Sequence, residues 1–243
     1  MIGCDSFKQA KWYTNKNRSS VSLWVIHDEE YPERPDSAEA VQSYFAQGSR
    51  KASAHACVDN NSIAGCVDWA DVAYHAGHGA TNNRSIGIEH SGYAHQTRAE
   101  WLDPYGVAML DRSARLFAQV GYGIYKIPPV KLSPADLKAG KSGILGHWDV
   151  SLAYVPGGHY DPGPNFPWDY FIDLCKKYCF GDTVTPKPPE EDDMYKNWDE
   201  ESKKKFWDDF KLFAAPVITG SAVSKPSDKQ TNLGDVVNTI NAK

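Results

Sequence analysis

The chain of 243 residues carries a net charge of −5; 41% of it is hydrophobic and 12% aromatic. Those proportions exclude a disordered chain, and the negative balance gives no basic surface for nucleic acid. No apolar run reaches the roughly 18 residues that a membrane span needs, and residues 1–14 lack the charged-then-apolar layout of a signal peptide.

Residues 21–27 read as a buried strand that ends on His27. After the loop Tyr31-Pro32-Glu33-Arg34-Pro35, Asp36 or Ser37 caps a helix that runs to Gln47 and stops at Gly48, with Ala40, Val41, Tyr44 and Phe45 as its apolar stripe. Residues 53–59 and 63–67 read as a hairpin about Asn60-Asn61-Ser62, with His55 packed on its first strand. Cys57 and Cys66 flank that turn and can face each other across the strands. An odd total of five cysteines and synthesis in a reducing cytosol weigh against a bond, so a disulfide and free thiols both stay open. The small residues of His75-Ala76-Gly77-His78-Gly79-Ala80 would let a substrate approach the backbone. Asn82 and Asn83 then lead into a strand at residues 85–90, which carries Glu89.

Residues 103–120 read as a helix with Val107, Leu110, Ala114, Phe117 and Ala118 buried and Gly121 as its stop. Ser133-Pro134 opens a short helix. Gly143-Ile144-Leu145-Gly146 delivers His147, and residues 166–178 close the domain as a helix. Strands interleaved with helices give an α/β fold with a mixed central sheet flanked by helices. At Gly181 the composition changes: Pro186, Pro188, Pro189 and a run of acids mark residues 181–194 as a linker between a catalytic domain at 1–180 and a tail at 195–243. In the tail Tyr195, Trp198, Phe206, Phe210 and Phe213 recur at helical spacing, which makes it an amphipathic helical appendage. A stripe so apolar must pack on something, and self-association through this helix is one way to cover it.

The chemistry gathers in Gly146-His147-Trp148-Asp149 and His159-Tyr160-Asp161-Pro162-Gly163-Pro164. Pro156-Gly157-Gly158 between them makes a loop, which can fold His147 and Asp161 back toward one point. The best third partner is His27, at the end of its strand. Taken singly, each histidine reads as an ordinary hydrogen-bonded residue. Two histidines and one aspartate around an open fourth position form the pattern of a single catalytic zinc ion.

These stretches resemble the zinc N-acetylmuramoyl-L-alanine amidases, a family that includes phage endolysins and is related to the peptidoglycan recognition proteins. The resemblance rests on His27 after a strand, Val72-Ala73-Tyr74-His75-Ala76-Gly77, Ser85-Ile86-Gly87-Ile88-Glu89, Gly146-His147-Trp148-Asp149-Val150 and Asp161-Pro162-Gly163-Pro164. The motifs follow in order over residues 20–170, and the likeness does not reach the tail. It implies Zn2+ on His27, His147 and Asp161, with Glu89 as the general base. It also implies that His75 touches the substrate or orients a ligand, and that Asn83 contacts the substrate. His159 is a departure: relatives commonly carry Lys or Thr at that place, near the developing oxyanion. The implied activity is hydrolysis of the amide between N-acetylmuramic acid and L-alanine in peptidoglycan. The tail and the absent signal layout fit a phage lysin, made in the host cytoplasm and released to the wall by a holin-type route. Two alternatives share the residues: a non-catalytic peptidoglycan-binding module, and a cytosolic amidase that recycles muropeptides.

Overall fold

The computed structural model describes residues 1–18 and 20–181. The linker from residue 182 on and the helical tail lie outside the described residues. In chain order the strands are β1 (Ser6–Phe7), β2 (Tyr13–Thr14), β3 (Leu23–Asp28), β4 (Ala56–Val58), β5 (Ile63–Gly65), β6 (Val72–Ala73), β7 (Ser85–His90) and β8 (Gly143–Gly146). The helices are α1 (Ser37–Gln47), α2 (Gly79–Arg84), α3 (Arg98–Trp101), α4 (Pro104–Leu116), α5 (Pro134–Lys138), α6 (His147–Tyr154) and α7 (Trp168–Phe180).

A 6-stranded sheet in the order β1-β5-β4-β7-β3-β8 forms the centre, and β2 pairs with β6 beside it. β4, β7, β3 and β8 run parallel, while β5 turns back antiparallel on β4, so the sheet is mixed as expected. Both faces are covered, which is why β3 and β7 are buried along their whole length. Side chains alternate across a strand. Trp24 and Ile26 therefore meet Ile86, Ile88, Leu110 and Phe171 on one face, while Leu23 and Val25 meet Leu137, Leu145 and Val150 on the other. His27 continues the second series.

Several expectations shift in detail. α1 turns its inward face in part as expected: Phe45 is buried and Val41 packs partly buried beside it, but Ala38 and Gln42 are buried too and Tyr44 is exposed. Gln42 can be buried because its amide donates to the Gly65 carbonyl at 2.8 Å and to Ser6 Oγ at 3.1 Å. Along α4 the inward face is Met109, Leu110, Ser113, Ala114 and Leu116, and Val107 is only partly buried. Gly121 does not stop this helix, which runs on to Tyr122 in wider turns. Its missing side chain serves packing instead: a Cβ there would lie 2.7 Å from the Phe117 ring and 3.2 Å from Trp24. Cys57 and Cys66 are buried free thiols with their sulfurs 3.7 Å apart.

Candidate functional site

The parallel register brings the site together. Ile26 is paired with Gly146 and His27 with Glu89, so the carboxyl ends of β3, β7 and β8 lie side by side. Ligands in open α/β sheets bind at such an edge. His27 lies there, one residue before the end of β3, His147 opens α6 there, and Asp161 returns on the loop after α6. The Trp148 N–H donates to the Asp161 carbonyl at 2.9 Å, which ties that loop to the start of α6. Gly163, with φ +85°, lets the loop turn against Ala94, whose carbonyl oxygen would lie 1.8 Å from any Cβ.

His27 Nδ1 lies 2.9 Å from Asp161 Oδ2, and His147 Nδ1 lies 3.1 Å from Asp161 Oδ1. One atom from each of the three residues falls within 4.8 Å of the others, and all three residues are buried. Burial by itself would raise the Asp161 carboxyl, yet the two imidazoles against it hold it well below the usual carboxylate range. Asp161 Oδ1 is nonetheless a buried oxygen with no well-formed hydrogen bond. A carboxylate oxygen without a hydrogen bond among the described residues, facing one imidazole while its twin faces another, is a place that a cation would complete. Two nitrogens and one oxygen are a donor set that zinc accepts, so the residues fit the expected group.

Glu89 is buried beside this cluster. Burial pushes its carboxyl well above the ordinary range, and the nearby Asp161, Glu29 and Asp28 push the same way. His159 stands at the rim: its side chain is 73% exposed, its ring stacks on His147 at 4.7 Å, and its Nδ1 lies 3.7 Å from Asp161 Oδ1.

The family model for N-acetylmuramoyl-L-alanine amidase matches residues 17–164, the stretch that holds every residue of this cluster. The chain belongs to that family. The amidase has no match among the curated proteins. Among solved structures it is similar in fold to the Staphylococcus aureus hydrolase AmiA in complex with its ligand, at 19% identity and a TM-score of 0.55, over 76% of this chain and 87% of that one. An AmpD derivative follows at 21% identity and a TM-score of 0.51, over 72% and 95%. The PlyG catalytic domain follows at 16% and 0.50, over 74% and 98%.

The amidase places the residues expected from sequence unevenly. His27, His147, Asp161 and Glu89 converge, with His159 at their edge. His75 lies under the cluster, where its Nδ1 is 2.9 Å from His27 Nε2. It is buried at 8% exposure and faces His27 from below. Asn83 is exposed at the surface. Its amide donates to the Gly79 carbonyl at 2.9 Å and its oxygen accepts from Lys16 at 2.7 Å. The inward member of that pair is Asn82, whose oxygen accepts from the Ala76 N–H at 2.9 Å and so shapes the loop that carries His75. Sequence reasoning also passed over His90, which is buried between the His27 carbonyl at 3.1 Å and Ser113 Oγ at 2.7 Å and steadies the end of β3. His55 is a packed residue, as expected: Arg18 lies 3.0 Å from its Nε2, and its Nδ1 accepts from the Gly87 N–H at 3.0 Å.

Proposed function

We propose that this amidase uses one zinc ion, held by His27, His147 and Asp161, to cut the amide between N-acetylmuramic acid and L-alanine in peptidoglycan. The observation that carries the metal reading is the orphaned Asp161 Oδ1 facing His147 Nδ1 beside a second imidazole. Zinc, when bound, lowers the pKa of a coordinated water to about 7 and polarises a carbonyl. The chain supplies the proton movements. Glu89 takes the proton of the attacking water and hands it to the leaving nitrogen of L-alanine. Burial makes the ionised carboxylate a stronger base than an exposed one, and once protonated it is placed to pass that proton on. His159, at the rim, offers a ring N–H to the charge that develops on the carbonyl oxygen. The ring of His75 holds His27 in place from below.

We further propose that residues 1–180 are the catalytic domain, 181–194 a linker, and 195–243 an appendage for work on intact wall, as in a phage lysin released by a holin-type route. The aromatic stripe at Tyr195, Trp198, Phe206, Phe210 and Phe213 supports this, since an enzyme for small soluble muropeptides has no need of it. Mass spectrometry of digested sacculi tests the bond: new L-alanine amino termini and unmodified glycan strands are expected. Cleavage in the glycan or within the peptide would sink the assignment. Sacculi left intact while soluble muropeptides are cut would favour a recycling enzyme. Chelation should abolish hydrolysis and zinc restore it; full activity without metal would refute the zinc reading.

A further inference from the structure

His75 and Ser85 take no part in the proton movements above, yet both are buried directly behind His27. Their hydrogen bonds form a chain with a direction. Ser85 Oγ donates its single proton to the Thr81 carbonyl at 2.8 Å, and a carbonyl can only accept. Ser85 Oγ must therefore accept from the His75 Nε2, 2.9 Å away. A neutral imidazole has one N–H. With it on Nε2, the His75 Nδ1 is a bare acceptor, and it faces His27 Nε2 at 2.9 Å. His27 then carries its N–H on Nε2, and its Nδ1 lone pair points at Asp161 Oδ2. Two acceptor atoms this close favour a cation, and this is a place where His27 and Asp161 would together hold a metal ion.

The strand is shaped for this chain. Ser85, Gly87 and Glu89 alternate onto one face of β7. Ser85 anchors His75, and Glu89 stands beside His27. Gly87 lies under the His75 ring, where a Cβ would come within 2.4 Å of Cγ. Asn82 fixes the backbone of the same loop through the Ala76 N–H.

We propose that His75 is a positioning residue that fixes the Nε2–H tautomer of His27, with Ser85 and the Thr81 carbonyl setting the direction of the chain, and that it thereby sets the affinity for the metal. This rests on the zinc reading above. Partners of this kind change metal affinity by about 10–100-fold when removed. The test measures zinc dissociation constants of the full chain by competition with a chromophoric chelator, with circular dichroism as the check of fold. His75→Phe keeps a ring but offers no acceptor, and should weaken zinc by about 10–100-fold. His75→Asn places an oxygen near the position of Nδ1, and should bind zinc nearly as well as the parent. Ser85→Ala leaves the His75 ring free to choose its tautomer, and should fall between. If His75→Phe does not fold, the order parent, Asn, Ser85→Ala still decides. Equal affinity in all variants overturns the proposal, as does an Asn variant as weak as Phe, which would make the role one of ring packing. A parent chain that binds no zinc overturns the metal reading itself and this inference with it.

Discussion

Glu89 and His159 sit at opposite extremes of solvent access around the cluster of His27, His147 and Asp161, and their predicted effects differ accordingly. Glu89 is buried, so removing only its ionisation leaves the packing intact. Glu89→Gln should keep zinc and fold and lower kcat by about 10²–10⁴-fold, the usual range for acid–base work. Zinc analysis beside steady-state kinetics checks this; loss of zinc together with activity would make Glu89 a ligand or a structural group. His159 is 73% exposed and touches the cluster by stacking on His147. Water can compete for any charge that it stabilises. His159→Ala should therefore leave zinc content and melting temperature unchanged and reduce kcat by less than the about 10²-fold seen for a buried oxyanion donor. An unaltered kcat would remove it from the reaction.

β7 shows how much one strand does, and how much of it can be read. The alternation Ser85, Gly87, Glu89 against Ile86, Ile88 is plain in the sequence, as are a strand that carries His27 near its end and the glycine-proline loop that returns Asp161. Strand periodicity and turn residues are local, so those parts were legible. What Gly87 is for was not legible, since its neighbour His75 comes from another loop. Gly87→Ala should cost about 1–3 kcal/mol of stability, the range for overpacking a filled site. Urea unfolding measures it, and a variant as stable as the parent would show that the ring has room to move. The same limit explains the misread details. On α1, Phe45 points inward as its spacing indicates, but Gln42 joins it unannounced because it is polar yet satisfied by Gly65 and Ser6. Gly121 looked like a stop but gives room to Phe117 and Trp24.

The described core holds shielded carboxyls at and just after the end of β3, and this gives the metal-free protein a distinctive response to pH. The described core closes with α7 and Gly181 in the left-handed conformation, so a chain ending there should still fold and cut soluble muropeptide. An unfolded product would move the domain boundary beyond residue 181. Within that core, burial raises Asp28 and Glu29 to about 8, and Glu33 to about 7. Each holds its proton in the folded chain after the unfolded chain has released it, so each lowers stability as pH rises from the ordinary carboxylate range to its folded value. Buried histidines act in the opposite sense: burial lowers His90 to about 4 and His55 to about 3, so they cost stability as pH falls below about 6.5. The two sets oppose each other in mild acid. Between pH 7 and 8 the histidines are neutral in both states while the raised carboxyls still titrate. In the presence of chelator, stability should therefore fall from pH 7 to about 8. Glu29 is the cleanest probe, because one of its oxygens accepts from Ser91 at 2.9 Å and the other has no partner. Glu29→Gln can keep the Ser91 bond and has no charge to bury, so its urea midpoints should fall less than the parent's across that window. Parallel curves for the two proteins would show that Glu29 already ionises in the fold, with water reaching the oxygen that now has no partner.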